Sequence, residues 1–278
     1  MLVPLAGGGQ ETLLSEVGFV LLPLFTTRDA CALRLVCREF LAAVSEHPWE
    51  DRDTVIRGSI AAWRACFPHA LCANVQEWDS GYYSNERAIS VEDADFVHFE
   101  GLRGLYMAGC RDVTDAAFVH LRSIYTLDMT FFTQRAITDA AFAHLAGIQR
   151  LCIRGCNQPT ITDAAFSHLR GIQLLNISQC EQLTDIAFTH MRGIHTLDMR
   201  HCRQPAITDA AFVHLRGIHT LVLDGCNQAT ITGATFACLQ GARTIGMWHC
   251  SAELVSAAEV LGLPIVSTIS PLTELHVT

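Results

Sequence analysis

From Ile161 to Cys180 the rhythm of apolar and polar positions changes once, and the change marks two elements. Phe166, Leu169 and Ile172 recur at spacing three with Ala165 beside them, an apolar stripe on one helical face. Thr162-Asp163 ahead of the stripe is a helix start. Either side chain can accept from the free N–H groups of the first turn, and an acidic group suits the positive end. Gly171 ends the helix where a left-handed residue is wanted. Leu175 and Ile177 then alternate with Leu174, Asn176 and Ser178, the period of a short strand. Cys180 closes the strand, and Glu181-Gln182 turns the chain into Leu183.

The whole pattern recurs. The phrase Val113-Thr-Asp-Ala-Ala-Phe-Val-His-Leu121 starts again at Ile137, Ile161, Leu183, Ile207 and Ile231, with a looser copy at Val91, in steps of 22 or 24 residues. A fixed period of this size means a stacked-repeat architecture. One helix and one short strand per unit cannot bury their apolar faces alone. Stacking joins the strands into a parallel inner sheet and the helices into an outer layer. The expected fold class is therefore an α/β solenoid, in which Leu151, Leu175 and Leu197 lie side by side. Val255 to Val260 keeps a helical echo, and Leu272, Leu275 and Val277 read as a closing strand.

The spacing Ile172-x-x-Leu175-x-Ile177-x-x-Cys180 followed by Leu183-Thr-Asp resembles the cysteine-containing class of leucine-rich repeats. Phe132 stands at the cysteine position of one copy, and Gly233 and Cys238 replace the aspartate and histidine of the last. Ahead of the repeats, Leu33-Arg-Leu-Val-Cys-Arg-Glu-Phe40 with the later His47-Pro-Trp49 resembles the F-box, a small helical adaptor-binding module. Leu33, Val36, Phe40 and Val44 would share one helical face. Leu14-Ser15 stands where an F-box usually has Leu-Pro, and Pro23 falls within the first helix, where it would remove a hydrogen bond. Large families that pair such incomplete F-boxes with repeats occur in giant DNA viruses, and this chain looks like one of them.

These readings divide the chain into a flexible tail (1–13), an F-box-like helical module (14–55), an irregular opening repeat and loop (56–88), leucine-rich repeats (89–253) and a capping repeat (254–278). In the opening repeat, Ser59 to Ala65 reads as a helix and Leu71 to Val75 as a first strand.

Charge narrows the function. The net charge is -9, with 19 basic residues scattered among 28 acidic ones, so no basic cluster offers to neutralise a phosphate backbone. The apolar run from Val17 to Phe25 is too short to span a membrane. No positive residue precedes Arg28, so no secretory signal is read and an intracellular, cytoplasmic or nuclear place is expected. Cys110, Cys156, Cys180, Cys202, Cys226 and Cys250 share one repeat position, the rung of a ladder and not a set of disulfides. His98, His120, His144, His168, His190 and His214 form another column. A straight column cannot converge on one metal ion, so these read as partly buried packing residues. His195, His201, His219 and His249 flank the strands. They are the weaker alternative, a ligand site at the sheet rim. No nucleophile with a dedicated base and no phosphate-binding glycine motif stands out, so no enzyme, metal or cofactor is expected.

What remains is the inner sheet face, where the positions alternating with the buried leucines vary freely. Tyr106, Asp128, Arg150, Arg154, Asn176, Asp198, Arg200, Asp224 and Trp248 are the candidate residues for holding a protein target, since Arg and Trp are frequent hot spots. The F-box resemblance implies that Leu14, Val17, Leu33, Val36, Cys37, Phe40 and Trp49 dock a Skp-type adaptor of a cullin ubiquitin ligase. The chain would then be the substrate receptor. The alternative is a repeat scaffold, or host-interaction protein, whose decayed F-box merely caps the stack.

Overall fold

The structure, a computed structural model, describes residues 21–76 and 89–267. The tail, Leu14, Val17, most of the loop read at Gln76 to Ala88 and the strand read at Leu272 to Val277 lie outside the described residues. Nine short strands form one parallel sheet in chain order: β1 (Cys72–Asn74), β2 (Gly104–Tyr106), β3 (Thr126–Asp128), β4 (Arg150–Cys152), β5 (Leu174–Asn176), β6 (Thr196–Asp198), β7 (Thr220–Val222), β8 (Thr244–Gly246) and β9 (Ile265–Val266). The register sets Leu127, Leu151, Leu175, Leu197 and Leu221 in one row, as the repeat period requires. β9 is a strand the sequence reading passed over.

The outer layer is thinner than the stripe pattern implied. Instead of a full helix, each unit carries a short helical turn, such as the 3-10 turns Asp115–Leu121 and Asp163–His168 or the four-residue α-turns Asp185–Phe188 and Asp209–Phe212. The reason is lateral space. Strands repeat every ~4.8 Å, whereas packed α-helices need roughly 8–10 Å between axes. Narrow turns let successive units stay close. Only at the end of the stack does a longer helix appear, Ala252–Val260, capped by the Ser251 hydroxyl.

Four ladders of side chains bind unit to unit. Phe96, Phe118, Phe142, Phe166, Phe188, Phe212 and Phe236 are all buried between the turns and the sheet. Each ladder cysteine donates its thiol hydrogen to a carbonyl of the preceding unit, at 3.0 to 3.4 Å, as Cys180 does to Ile153 and Cys202 to Ile177. Burial pushes the Cys156, Cys180, Cys202 and Cys226 thiols well above their ordinary range, so they stay protonated as donors. Glutamines at a third position bridge the turns: Gln182 Nε2 donates to the Cys156 carbonyl and Gln204 Nε2 to that of Cys180.

The fourth ladder corrects the reading of the Thr-Asp pair. Thr162 caps its own turn by accepting from Ala164 N–H. Asp163 does not cap. Its two carboxylate oxygens accept the N–H and the hydroxyl of Thr184, the first polar residue of the next unit, at 2.9 and 2.6 Å. The same pairing joins Asp93 to Thr114, Asp115 to Thr138, Asp139 to Thr162, Asp185 to Thr208 and Asp209 to Thr232.

The N-terminal module is helical but not as one face. Pro23 opens a 3-10 turn, Leu22–Leu24, where a missing N–H costs nothing. Helix α1 (Thr27–Leu33) starts with a capping box between Thr26 and Asp29. It ends at Leu33, and Cys37, extended at φ -158 and ψ 171, begins helix α2 (Arg38–Glu46). Leu33 and Phe40 therefore sit on different helices, with Val36 in the link between them. Helix α3 (Ile60–Cys66) follows, started by the Ser59 hydroxyl. Trp49 and Phe67 pack edge to face, with centroids 5.8 Å apart, in a small core with Leu22, Ala30, Val44 and Ala70. The Trp49 carbonyl also accepts from Leu71 and Cys72, which anchors the module to β1.

Candidate protein-interaction surface

Strands β1 to β8 are only three residues long. The middle residue of each points into the core, and its neighbours line the inner face. The sequence reading had nine candidates projecting freely there. The structure instead buries five of them: Tyr106, Asp128, Asn176, Asp198 and Asp224. In-register strands at ~4.8 Å leave short side chains covered by the units on either side. Backbone hydrogen bonding draws several of them inward as well. Asp128 accepts from Thr130 N–H at 2.9 Å, Asn176 from Ser178 N–H at 2.9 Å and Asp198 from Arg200 N–H at 3.1 Å. These are Asx turns that end the strands, a local role for Asp and Asn side chains.

Burial raises the Asp128 and Asp198 carboxyls above the usual carboxylate range. Arg200 opposes this at Asp198: its Nε lies 3.6 Å from Asp198 Oδ2 and 3.3 Å from Asp224 Oδ2. Asp224 in turn accepts from Trp248 N–H. At the other end of the face, Tyr106, Cys152 and Leu174 make a small apolar knot. The candidates that stay accessible are Arg150, Arg154 and Arg200, all half-buried, and Trp248, which is 50% exposed.

Residues outside the chosen positions complete this surface. Just before each ladder cysteine, and before Phe132 which stands in for one, the backbone turns left-handed: at Gly109, Gly155 and Gly225, but also at Phe131, Gln179, His201 and His249 with φ near 60°. The Phe131 ring lies over Gly155, where a side-chain carbon would sit 2.5 Å from Cδ1, and the His201 ring covers Gly225 in the same way. The Arg154 guanidinium lies 5.5 Å above the Phe131 ring and its Nε donates to Gln179 Oε1 at 3.4 Å. Arg203 donates Nε to the Gly225 carbonyl, with Nη2 3.5 Å from His201 Nδ1. The signal for these residues was present in the sequence, since Phe131 and His201 stand where other units have Gly109, Gly155 and Gly225, and each is followed one unit later by a glycine that makes room.

The flanking histidines do not assemble into one site. His195 and His219 stack at 4.7 Å between ring centroids, while His249 packs on Trp248 at 3.8 Å. The main histidine column is half-buried except for His168, which is exposed, and His120 Nδ1 lies 2.6 Å from Glu100 Oε1. Among the described residues no group of three or more His, Cys, Asp or Glu is placed to hold a metal ion. None of the described helices is long and apolar enough to cross a membrane.

In the helical module, Leu33, Cys37 and Phe40 are half-buried and Val36 is 66% exposed. Trp49 is 1% exposed. It holds the module together and offers no surface to a partner, a correction to its reading as a contact residue.

No protein-family model matches the chain, and no curated protein matches it in sequence. Solved structures do. A leucine-rich-repeat protein of Leptospira interrogans superposes with a TM-score of 0.52 at 12% identity, over 76% of this chain and 58% of that one. The fold is a leucine-rich-repeat solenoid. TLR13, solved in complex with ssRNA13, superposes on the solenoid with a TM-score of 0.53 at 16% identity, over 69% of this chain and 26% of that one. Rad7, solved in complex with Elc1 in yeast, gives 0.50 at 15% identity, over 71% of this chain and 61% of that one. The solenoid thus spans less than two thirds of the length of each.

Proposed function

We propose that the chain is a protein-interaction subunit, the substrate receptor of a Skp-cullin-F-box type ubiquitin ligase, with its target held on the inner sheet face. The observation that carries this reading is the distribution of uncovered apolar side chains. Among the described residues, six of the twelve exposed large apolar side chains fall between 21 and 41: Leu21, Leu24, Phe25, Leu35, Val36 and Leu41. Clustered exposed apolar surface marks an interaction site. Leu35 and Val36 lie in the link between α1 and α2, and are 87% and 66% exposed. They can be changed without disturbing the Trp49 core. Two of the solenoids of similar fold are themselves solved in complexes, Rad7 with Elc1 and TLR13 with ssRNA13.

The test is a pull-down of the full chain with a purified Skp-type adaptor. Stoichiometric binding, lost in Leu35→Asp/Val36→Asp with an unchanged thermal melt, is the expected result. A folded wild-type chain that retains no adaptor overturns the receptor reading. A second reading, a scaffold whose helical module serves as a cap, is favoured by the hydrogen bonds from Leu71 and Cys72 to the Trp49 carbonyl, which make the module the first layer of the stack.

A further inference from the structure

The inner face carries charge unlike that of the chain as a whole. Net charge is -9, yet the accessible charged groups on the last two thirds of the face are arginines apart from the exposed Glu181, which follows Cys180. The aspartates there are committed: Asp128 to its own turn, Asp198 and Asp224 to Arg200. Arg150, Arg154 and Arg203 have no carboxylate at ion-pair distance among the described residues. The Arg150 Nε is buried with no hydrogen-bond partner. Arg154 is held by the face of Phe131 and one long hydrogen bond to Gln179; Arg203 is held by a backbone carbonyl. Both forks are therefore positioned by neutral groups, which leaves most of their donors free for a carboxylate. The positive potential registers on His201: burial, then Arg203, hold its imidazole below the ordinary range, with Arg154 and Arg200 adding and Asp224 opposing. Beyond Arg200 and Asp224 the row ends at Trp248, half-exposed.

We infer that this face takes an extended acidic segment of a protein partner, with carboxylates over Arg154 and Arg203 and an apolar side chain against Trp248. The inference rests on the proposed use of the inner face and names the chemistry of its partner. Four strand spacings of ~4.8 Å separate the units of Arg154 and Trp248, about 19 Å. An extended chain covers that in about six residues. Aspartate and glutamate complement the free forks, and the covered Asp198 and Asp224 share Arg200, which offsets one of their two charges.

The test is fluorescence anisotropy with the full chain and a labelled, end-capped Asp-Glu-Asp-Gly-Ser-Leu peptide. Its comparison is the amide twin Asn-Gln-Asn-Gly-Ser-Leu. The acidic peptide is expected to bind at least about tenfold tighter, a difference of about 1.4 kcal/mol, and to weaken with salt. Arg154→Gln/Arg203→Gln is expected to abolish the preference, while Arg122→Gln, on an exposed outer turn, leaves it intact. Equal binding of the two peptides overturns the inference, as does an equal loss in Arg122→Gln, or tighter binding of a single-stranded oligouridylate. Photocrosslinking in cell extract keeps the broader reading separate, with a benzophenone side chain at Trp248 compared with one at Val119 on the outer layer. Protein crosslinks from position 248 alongside equal peptide binding leave the inner-face reading standing and remove the acidic partner. Crosslinks from position 119 alone overturn both.

Discussion

Asp128 and Asn176 occupy the same position two units apart, and each turns its side-chain oxygen back onto the N–H two residues later. The chemistry of that turn needs an oxygen, not a charge. Burial raises the Asp128 carboxyl, with hydrogen bonds from Thr130 only partly offsetting the effect. A folded-state value above the unfolded one, near 3.9, means that the carboxyl favours folding at low pH and that this benefit is lost as pH rises through the folded value. At neutral pH the charged form is therefore a cost. Asp128→Asn is expected to raise the melting temperature at pH 7.5 and to leave it unchanged below about pH 4, where the aspartate is protonated. Equal effects at both pH values would show that something other than charge is at work. The variation of these positions between units was legible in the sequence, but their burial was not. A free choice of residue looks the same whether the side chain reaches solvent or folds back on its own backbone.

The elements were legible where one unit sufficed to define them. The alternation around Leu175 marks β5, and the apolar spacing after Ser59 marks α3, because strand and helix periods are local signals. What a single unit could not reveal was the distance to the next. The apolar stripe of Phe166 fits a full helix, yet stacking at strand spacing compresses it into a 3-10 turn. The same limit hid the role of Asp163, whose partner lies in the following unit. Cys37 was misread for a related reason: the run from Leu33 to Phe40 has helical spacing throughout, and only the extended backbone at Cys37 divides it. Phe166 is expected to test how tightly adjoining layers depend on each other. Phe166→Ala should cost about 3–5 kcal/mol in urea denaturation. It should also speed hydrogen exchange in the flanking turns, because each unit is supported only by its neighbours. Loss confined to one unit would argue against the coupling.

At the scale of the molecule, the parallel order of β2 to β8 and the row of leucines follow from the period alone, and that part of the architecture was readable before any coordinate. The helical module joins the same body through Trp49 and β1, so the solvent-facing apolar stretch and the arginine-bearing inner face belong to one connected stack. Joining the ends follows its own rule. The Asp-to-Thr bridge is identical from Asp93 to Asp209 and stops where Gly233 replaces the acid, with Ala257 of the closing helix beside it. Identical couplings make the layers interchangeable. Excising 162–183, one complete period, brings Asp139 opposite Thr184 and keeps the Phe131–Gly155 and His201–Gly225 pairs together. The shortened protein is expected to fold cooperatively, checked by a single melting transition, whereas removing twelve residues should abolish it. A lineage could thus lengthen or trim its gripping surface by copying or dropping whole segments of gene, each step adding or removing one rung without redesigning the joints.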